Sequence, residues 1–343
     1  MHTKIWHIVG RTPRASGSFL YRVDYRPGTL EQPDNRKVPP EKKMRFFAQK
    51  KLKVSRPVAH LFLFLVALIY GANYTIAKAV MDGEYIRPGA FIVLRLAFAT
   101  ALFFVFAPRG EKIAKQDRKP VVLAGLFGAA VNMLLFFYGL KRTSPIHASL
   151  IMLTVPVLVL SMALVTGKEV LTMRRLGGIL LSLIGAVLIV LPGSDTLSGG
   201  WAGDIMIFFN ATSYAIYLLI VKDLLEKYRP FTVLKWVFLV GLGFALPIGL
   251  PEMMYIEPER FTQQIWLATL FVLLFTTFFT YMLNVTALSV IPASTVSIYI
   301  YLQPVLATLI AVLTGKDQLH GREVLYFVMI VAGIYLAGRT KDP

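Results

Sequence analysis

The chain has 343 residues, 56% of them apolar, and a mean hydropathy of +0.63. That is too apolar for a soluble domain of this length, and apolar runs of about 20 residues recur, each long enough to cross ~30 Å of hydrocarbon. There is no cysteine, which excludes disulfides, thiolate catalysis and Cys-ligated metal; the net charge of +17 does not mark a nucleic-acid binder, because most of the excess sits in one tail.

Residues 1–57 hold 14 Lys/Arg, 4 Asp/Glu and six prolines, with no sustained hydrophobic period. They read as a basic, disordered cytoplasmic tail. No apolar core follows an early positive cluster, so no cleavable signal peptide is expected. The tail charges either fix topology or meet anionic lipid headgroups. Met44 is an alternative start that leaves only a short basic tail.

Ten apolar spans follow, at 58–81, 88–107, 120–141, 143–166, 173–192, 200–222, 231–251, 264–288, 291–314 and 321–338. Short connections make neighbours antiparallel. With the N-terminus inside, the inner loops and C-terminal tail hold 13 Lys/Arg against 6 in the outer loops. Both termini are therefore expected in the cytoplasm.

Residues 140–190 repeat, without a gap, at 288–338. Pro156-Val157-Leu158 falls on Pro304-Val305-Leu306, and Thr166-Gly167-Lys168-Glu169 falls on Thr314-Gly315-Lys316-Asp317. Earlier, Tyr70, Ile76 and Lys78 align with Tyr214, Ile220 and Lys222, and 91–95 aligns with 231–235. The expected architecture is all-α, with ten transmembrane helices in two five-helix repeats, 58–192 and 200–338. An odd number of spans per repeat inverts the second copy.

These residues resemble the EamA-type branch of the drug/metabolite transporter superfamily. The likeness rests on Tyr70-Gly71-x-Asn73…Lys78 in span 1, Pro88…Leu94-Arg95 in span 2, and the Gly-Lys-Glu and Gly-Lys-Asp turns after spans 4 and 9. It covers about 58–338. It implies export or exchange of amino acids or other small metabolites by alternating access through a central cavity. It also implies that spans 1, 3, 4, 6, 8 and 9 line that cavity, with 5 and 10 at the periphery. The long N-terminal tail departs from the family pattern.

The polar residues test that picture. The mid-span amides are Asn73, Asn132, Asn210, Asn284 and Gln303, all on spans that the resemblance makes walls. An amide facing lipid has no partner and costs several kcal/mol. Helical spacing puts Tyr214 and Tyr217 with Asn210, Tyr281 with Asn284, and Ser297 and Tyr301 on one face of span 9. Two readings stand for this set: bonds between helices, or a hydrated substrate-binding cavity. Mid-span Pro156 and Pro304 each free a carbonyl, at Met152 and Ile300. They are either static kinks or paired hinges. Lys78 and Arg95 are candidate anchors for a solute carboxylate. Arg95 otherwise needs a partner such as Asp204, Asp82 or Glu84, because a mid-bilayer Arg costs ~2.5–3.5 kcal/mol. Lys222 reads as snorkelling to the interface.

Carboxylates and histidines are sparse within the spans, and His147 reads as interfacial. That favours a facilitator or exchanger over a proton-driven pump. There is no phosphate-binding Gly-rich loop with Lys-Ser/Thr. No cofactor, metal or nucleic-acid partner is expected, and no enzymatic activity, since no His, Asp and Glu cluster within the spans. The expected partners are a small-molecule substrate and membrane lipids. Small-residue pairs such as Gly178/Ser182 read as internal packing, and a homodimer stays open. The expected location is the plasma membrane, in bacteria the inner membrane. The alternatives are a membrane receptor or scaffold, or an intramembrane enzyme acting on lipid-linked substrates.

Overall fold

The computed structural model describes residues 54–143, 145–190, 200–313 and 321–338. The basic tail, the 314–317 turn and the side chains of Lys78 and His147 lie outside the described residues. The described chain forms ten helical rods and no strands. α1 is Arg56–Asp82 and α2 is Pro88–Phe106. α3 runs as Arg118–Gly125, Leu126–Ala130 and Val131–Arg142. α4 runs as Pro145–Met152 and Val155–Val165, and α5 is Met173–Val190. α6 is Trp201–Leu225 and α7 is Pro230–Met253. α8 runs as Gln263–Phe271, Val272–Phe279 and Thr280–Leu288. α9 runs as Ala293–Ile298, Tyr299–Tyr301 and Leu302–Leu313, and α10 is Gly321–Gly338.

Among the described residues, eight of these rods are long and apolar enough to cross a membrane: α1 to α4 and α6 to α9. Hydrocarbon offers no partner for backbone N–H and C=O, so spanning segments must be helical. Proline supplies several starts. Pro57, Pro88 and Pro230 sit in the first turn, where a missing N–H costs nothing.

The packing is reciprocal between the halves. α2 lies along α7, and α5 lies along α10. α1 packs on α8 and α9, while α6 packs on α3 and α4. Small residues set the close approaches. A Cβ at Gly249 would sit 2.2 Å from the Gly89 carbonyl oxygen. Backbone cannot yield as a side-chain tip can, so Gly249→Ala is expected to cost about 1–3 kcal/mol through the α2–α7 seam. A lowered unfolding midpoint in detergent checks this.

Carboxylates brace the same seam from both ends. Glu252, at the end of α7, accepts the Gly89 N–H at 2.7 Å and the Tyr138 hydroxyl at 2.6 Å. Glu111, after α2, accepts the Arg229 N–H at 3.3 Å and the Thr232 hydroxyl. Each carboxylate thus caps the N-terminus of a helix in the other half, where unpaired N–H groups and the helix dipole favour negative charge. Nearby, Asp117 accepts from Lys227 and from Tyr228, both at 2.7 Å, and this hydrogen bond raises the Lys227 ammonium above its ordinary pKa.

The Thr-Gly-Lys-acidic turn has a structural role. Gly167 takes φ +66°, and the Lys168 N–H bonds Ala163 O while the Gly167 N–H bonds Leu164 O. This is a left-handed glycine stop to α4. It presents Lys168 to Leu219 O at 2.9 Å and Asp223 at 2.6 Å. It presents Glu169 to the Ser294 N–H at 3.1 Å, the Ser294 hydroxyl, and Arg175 at 3.1 Å. The motif therefore ties the α4–α5 connection to α6 and α9.

Candidate functional site

One cavity, about 790 Å³ in empty volume, lies between the halves. Its walls come from α1, α2, α3, α4, α6, α8 and α9. The expected six walls are present, and α2 adds a seventh through Arg95. α5 and α10 contribute none of the lining residues.

Two π-helical segments shape it: Leu126–Ala130 in α3 and Val272–Phe279 in α8. A π turn takes carbonyls out of the regular i→i−4 ladder. In α3 the exposed acceptors are used by side chains from the other half. Ser213 donates to Phe127 O at 2.6 Å, and Tyr281 donates to Gly128 O at 2.9 Å. Gly128 must lack a side chain, since a Cβ there would meet the Tyr217 ring at 2.0 Å. In α8, Thr277 donates to Val272 O at 2.8 Å and accepts Arg95 Nε at 2.8 Å.

Arg95 is buried, and its guanidinium carbon lies 4.6 Å from the Phe137 ring centroid. Among the described residues no carboxylate pairs with it. Of the candidate partners, Asp204 accepts the Thr143 hydroxyl at 2.5 Å and Glu84 lies 3.9 Å from Lys141, while the side chain of Asp82 lies outside the described residues. A buried cation held by a hydroxyl and an aromatic face keeps its remaining N–H donors available on the cavity side.

The amides converge. Asn73, Asn132, Asn210, Asn284 and Gln303 all line the cavity. Asn210 donates to Asn132 O at 2.7 Å, across α6 and α3, and Asn284 donates to the Tyr214 hydroxyl at 2.8 Å. Their other atoms remain acceptors: among the described residues, nothing donates to the buried Oδ1 of Asn73, Asn210 or Asn284. Asn132, Asn210 and Asn284 both bridge helices and line the cavity. Aromatic rings complete the walls, with Tyr214 and Tyr281 among them.

Other expected site residues lie behind the lining. Tyr217 and Tyr301 are fully buried, and Ser297 donates to Ser294 O at 2.8 Å. Tyr217 packs beside Tyr214 and Tyr281, with centroids 6.0 and 6.2 Å away. On α6 helical spacing gave the correct face but not the depth; on α9 the lining residues Val296, Tyr299, Ile300 and Gln303 form a different face from the one expected. The prolines follow local changes of helix type. Pro156 comes just after the interruption at Leu153–Thr154, where Thr154 donates to Ile151 O at 2.7 Å. Pro304 follows the 3₁₀ turn Tyr299–Tyr301. Lys222 does more than snorkel, since its ammonium donates to Leu288 O at 2.7 Å and Ile291 O at 2.9 Å.

The sequence reading missed Tyr70 and Tyr299, both on the wall. Tyr70 had a signal, as the repeat partner of Tyr214. Tyr299 falls off the polar stripe of α9 and lies instead with Val296, Ile300 and Gln303, which helical spacing puts together on the cavity face.

The family model of the EamA-like transporters matches twice, over residues 57–191 and 201–339. The chain is 26% identical over 290 residues to the uncharacterized transporter YyaM of Bacillus subtilis (strain 168), covering 81% of this chain and 94% of that one. It is 26% identical over 280 residues to an uncharacterized transporter of Archaeoglobus fulgidus, covering 81% and 96%. Over 150 residues it is 27% identical to an S-adenosylmethionine/S-adenosylhomocysteine transporter of Chlamydia muridarum, covering 42% of this chain and 46% of that one. A solved crystal structure shares the fold at a TM-score of 0.65 and 18% identity, covering 84% of this chain and all of that one. With a duplicated family domain and eight apolar spans among the described residues, this chain is an integral membrane protein that belongs to the EamA-like transporter family.

Proposed function

We propose that this transporter moves a small organic metabolite bearing a carboxylate, such as an amino acid, through the central cavity by alternating access. The observation that carries the reading is Arg95, buried on the cavity wall with a hydroxyl and a ring for neighbours. Guanidinium matches carboxylate geometry. The amide oxygens of Asn73, Asn210 and Asn284 offer acceptors to an ammonium or other N–H groups, and the tyrosines offer ring faces. The relative named for S-adenosylmethionine handles a solute that carries both a carboxylate and an ammonium.

The framework is two inverted five-helix halves with both termini cytoplasmic. Its support is the reciprocal packing of α1–α8 with α6–α3, the π segments at matching places in α3 and α8, and the mutual Glu111 and Glu252 caps. Pro156 and Pro304 are paired bend points, each next to an interrupted helix that meets the opposite half. The plasma membrane is the site of action, and the protein exports or exchanges its solute along the solute's own gradient.

Purified protein in liposomes, given labelled amino acids and S-adenosylmethionine in turn, tests this. Saturable uptake of at least one carboxylate-bearing solute is expected; leak-level uptake of all of them by folded protein would reject the reading. Asn284→Ala removes one cavity acceptor and the bond to Tyr214. It is expected to lower uptake about fivefold to tenfold without loss of membrane insertion.

A further inference from the structure

We propose that Tyr299 contacts the solute and that His60 sets the polarity of its hydroxyl, so that recognition in the cavity is linked to proton binding. This rests on the cavity being the transport site. Tyr299 lines the cavity and His60 does not. His60 Nδ1 lies 2.8 Å from the Tyr299 hydroxyl, and the two rings are 5.9 Å apart and inclined at 33°. The contact joins α1 to the 3₁₀ turn of α9, two residues that stand 239 apart in sequence.

A phenol in this position has one proton and two acceptor lobes to share between imidazole and cavity. When His60 is neutral with its proton on Nε2, Nδ1 accepts the Tyr299 proton. The oxygen then turns its lone pairs to the cavity and receives a solute N–H. When His60 takes up one proton at Nδ1, that N–H donates to the Tyr299 oxygen. The phenol proton then turns to the cavity and donates to a solute carboxylate, on the same wall system that holds Arg95. One proton bound at His60 thus converts an acceptor into a donor at a fixed position. Tyr299 stays a phenol throughout.

His60 is placed to exchange protons. It is half-buried and lies four residues beyond the start of α1, about 6 Å along the axis from that helix end. The groups that face it are few. Arg56 lies one turn earlier on α1, and α9 presents Tyr299. The end of α10 comes beside the ring at Gly338, with Tyr335 in the same last turn. Among the described residues no carboxylate pairs with His60, so the imidazole itself is the group that takes up the proton.

Two measurements test this on the full chain. ¹⁵N-histidine NMR in nanodiscs, with His60 assigned by its loss in His60→Gln, reads tautomer and titration midpoint. Neutral His60 with its proton on Nε2 is expected, and Tyr299→Phe should shift the midpoint. A neutral Nδ1–H tautomer, or the same midpoint in Tyr299→Phe, would overturn the switch. The second measurement is the KM for labelled amino acids in liposomes with equal pH on both sides. It is expected to fall about tenfold from about pH 7 to about pH 5 in the wild type, and to stay flat in His60→Gln and Tyr299→Phe. A wild-type profile surviving in either variant would overturn the proposal. Failure of wild-type protein to transport any probe would reject the transport reading instead, and the NMR result would decide the His60–Tyr299 switch separately.

Discussion

Replacing Arg95 with Gln is expected to raise the KM for a carboxylate-bearing solute about 10- to 100-fold while leaving the protein folded and inserted. A hydrogen bond to a charged group contributes ~1.5–3 kcal/mol, which converts to that range. Stability should move the other way or not at all. Arg95 lies seven residues inside α2, about 10 Å from the helix end, where an Arg is costly to insert. Its partner Thr277 also bonds Val272 O, so it is not left alone by the substitution. Arg95→Lys should recover only part of the affinity, because an ammonium keeps the charge but loses the planar fork. Uptake kinetics on reconstituted variants decide this. An unchanged KM in Arg95→Gln would remove Arg95 from the site.

Replacing Glu169 with Gln is expected to destabilise the protein by about 3–5 kcal/mol. Its carboxylate is an ion partner of Arg175, which is 1% exposed, and it also caps the start of α9 through Ser294. Removing one member of a buried pair leaves the other charge in low dielectric. The contrast is Asp223→Asn, which breaks the more exposed Lys168 pair and should cost about 0–1 kcal/mol. Glu169→Gln with Arg175→Met should recover much of the loss, because an apolar pair of similar volume avoids desolvation. Tryptophan-fluorescence unfolding in detergent measures all three. Equal effects for Glu169→Gln and Asp223→Asn would contradict the buried-brace account.

Much of this was readable from residues alone. Asn73, Asn132, Asn210, Asn284 and Gln303 all reach the cavity, as does Arg95, because polar side chains in apolar spans have few tolerable places to go. Depth was not readable. Tyr217 shares a helical face with the lining residues Asn210 and Tyr214 but packs behind them, and on α9 the face that lines the cavity is not the one that carries Tyr301. The π segments of α3 and α8 left no sequence mark. In α3 the freed acceptors are claimed by Ser213 and Tyr281, side chains 86 and 153 residues away, and in α8 Thr277 bonds Val272 O and takes the Arg95 Nε–H. The roles of Glu111, Glu169 and Glu252 were likewise hidden, since each caps a helix start in the other half. His60 looked like one scattered histidine until the fold set Tyr299 against it.

The account's central claim is one cavity reached alternately from the two faces. The absence of native cysteine gives a clean background for a single reporter. Ala67 lines the cavity beside bulkier neighbours. Ala67→Cys, reconstituted in one orientation, would be treated with a membrane-impermeant thiol reagent from one side and then the other. Labelling from either side, slowed from both by a saturating transported solute, is the expected result. Labelling from one side only, with and without solute, would contradict alternating access through this cavity.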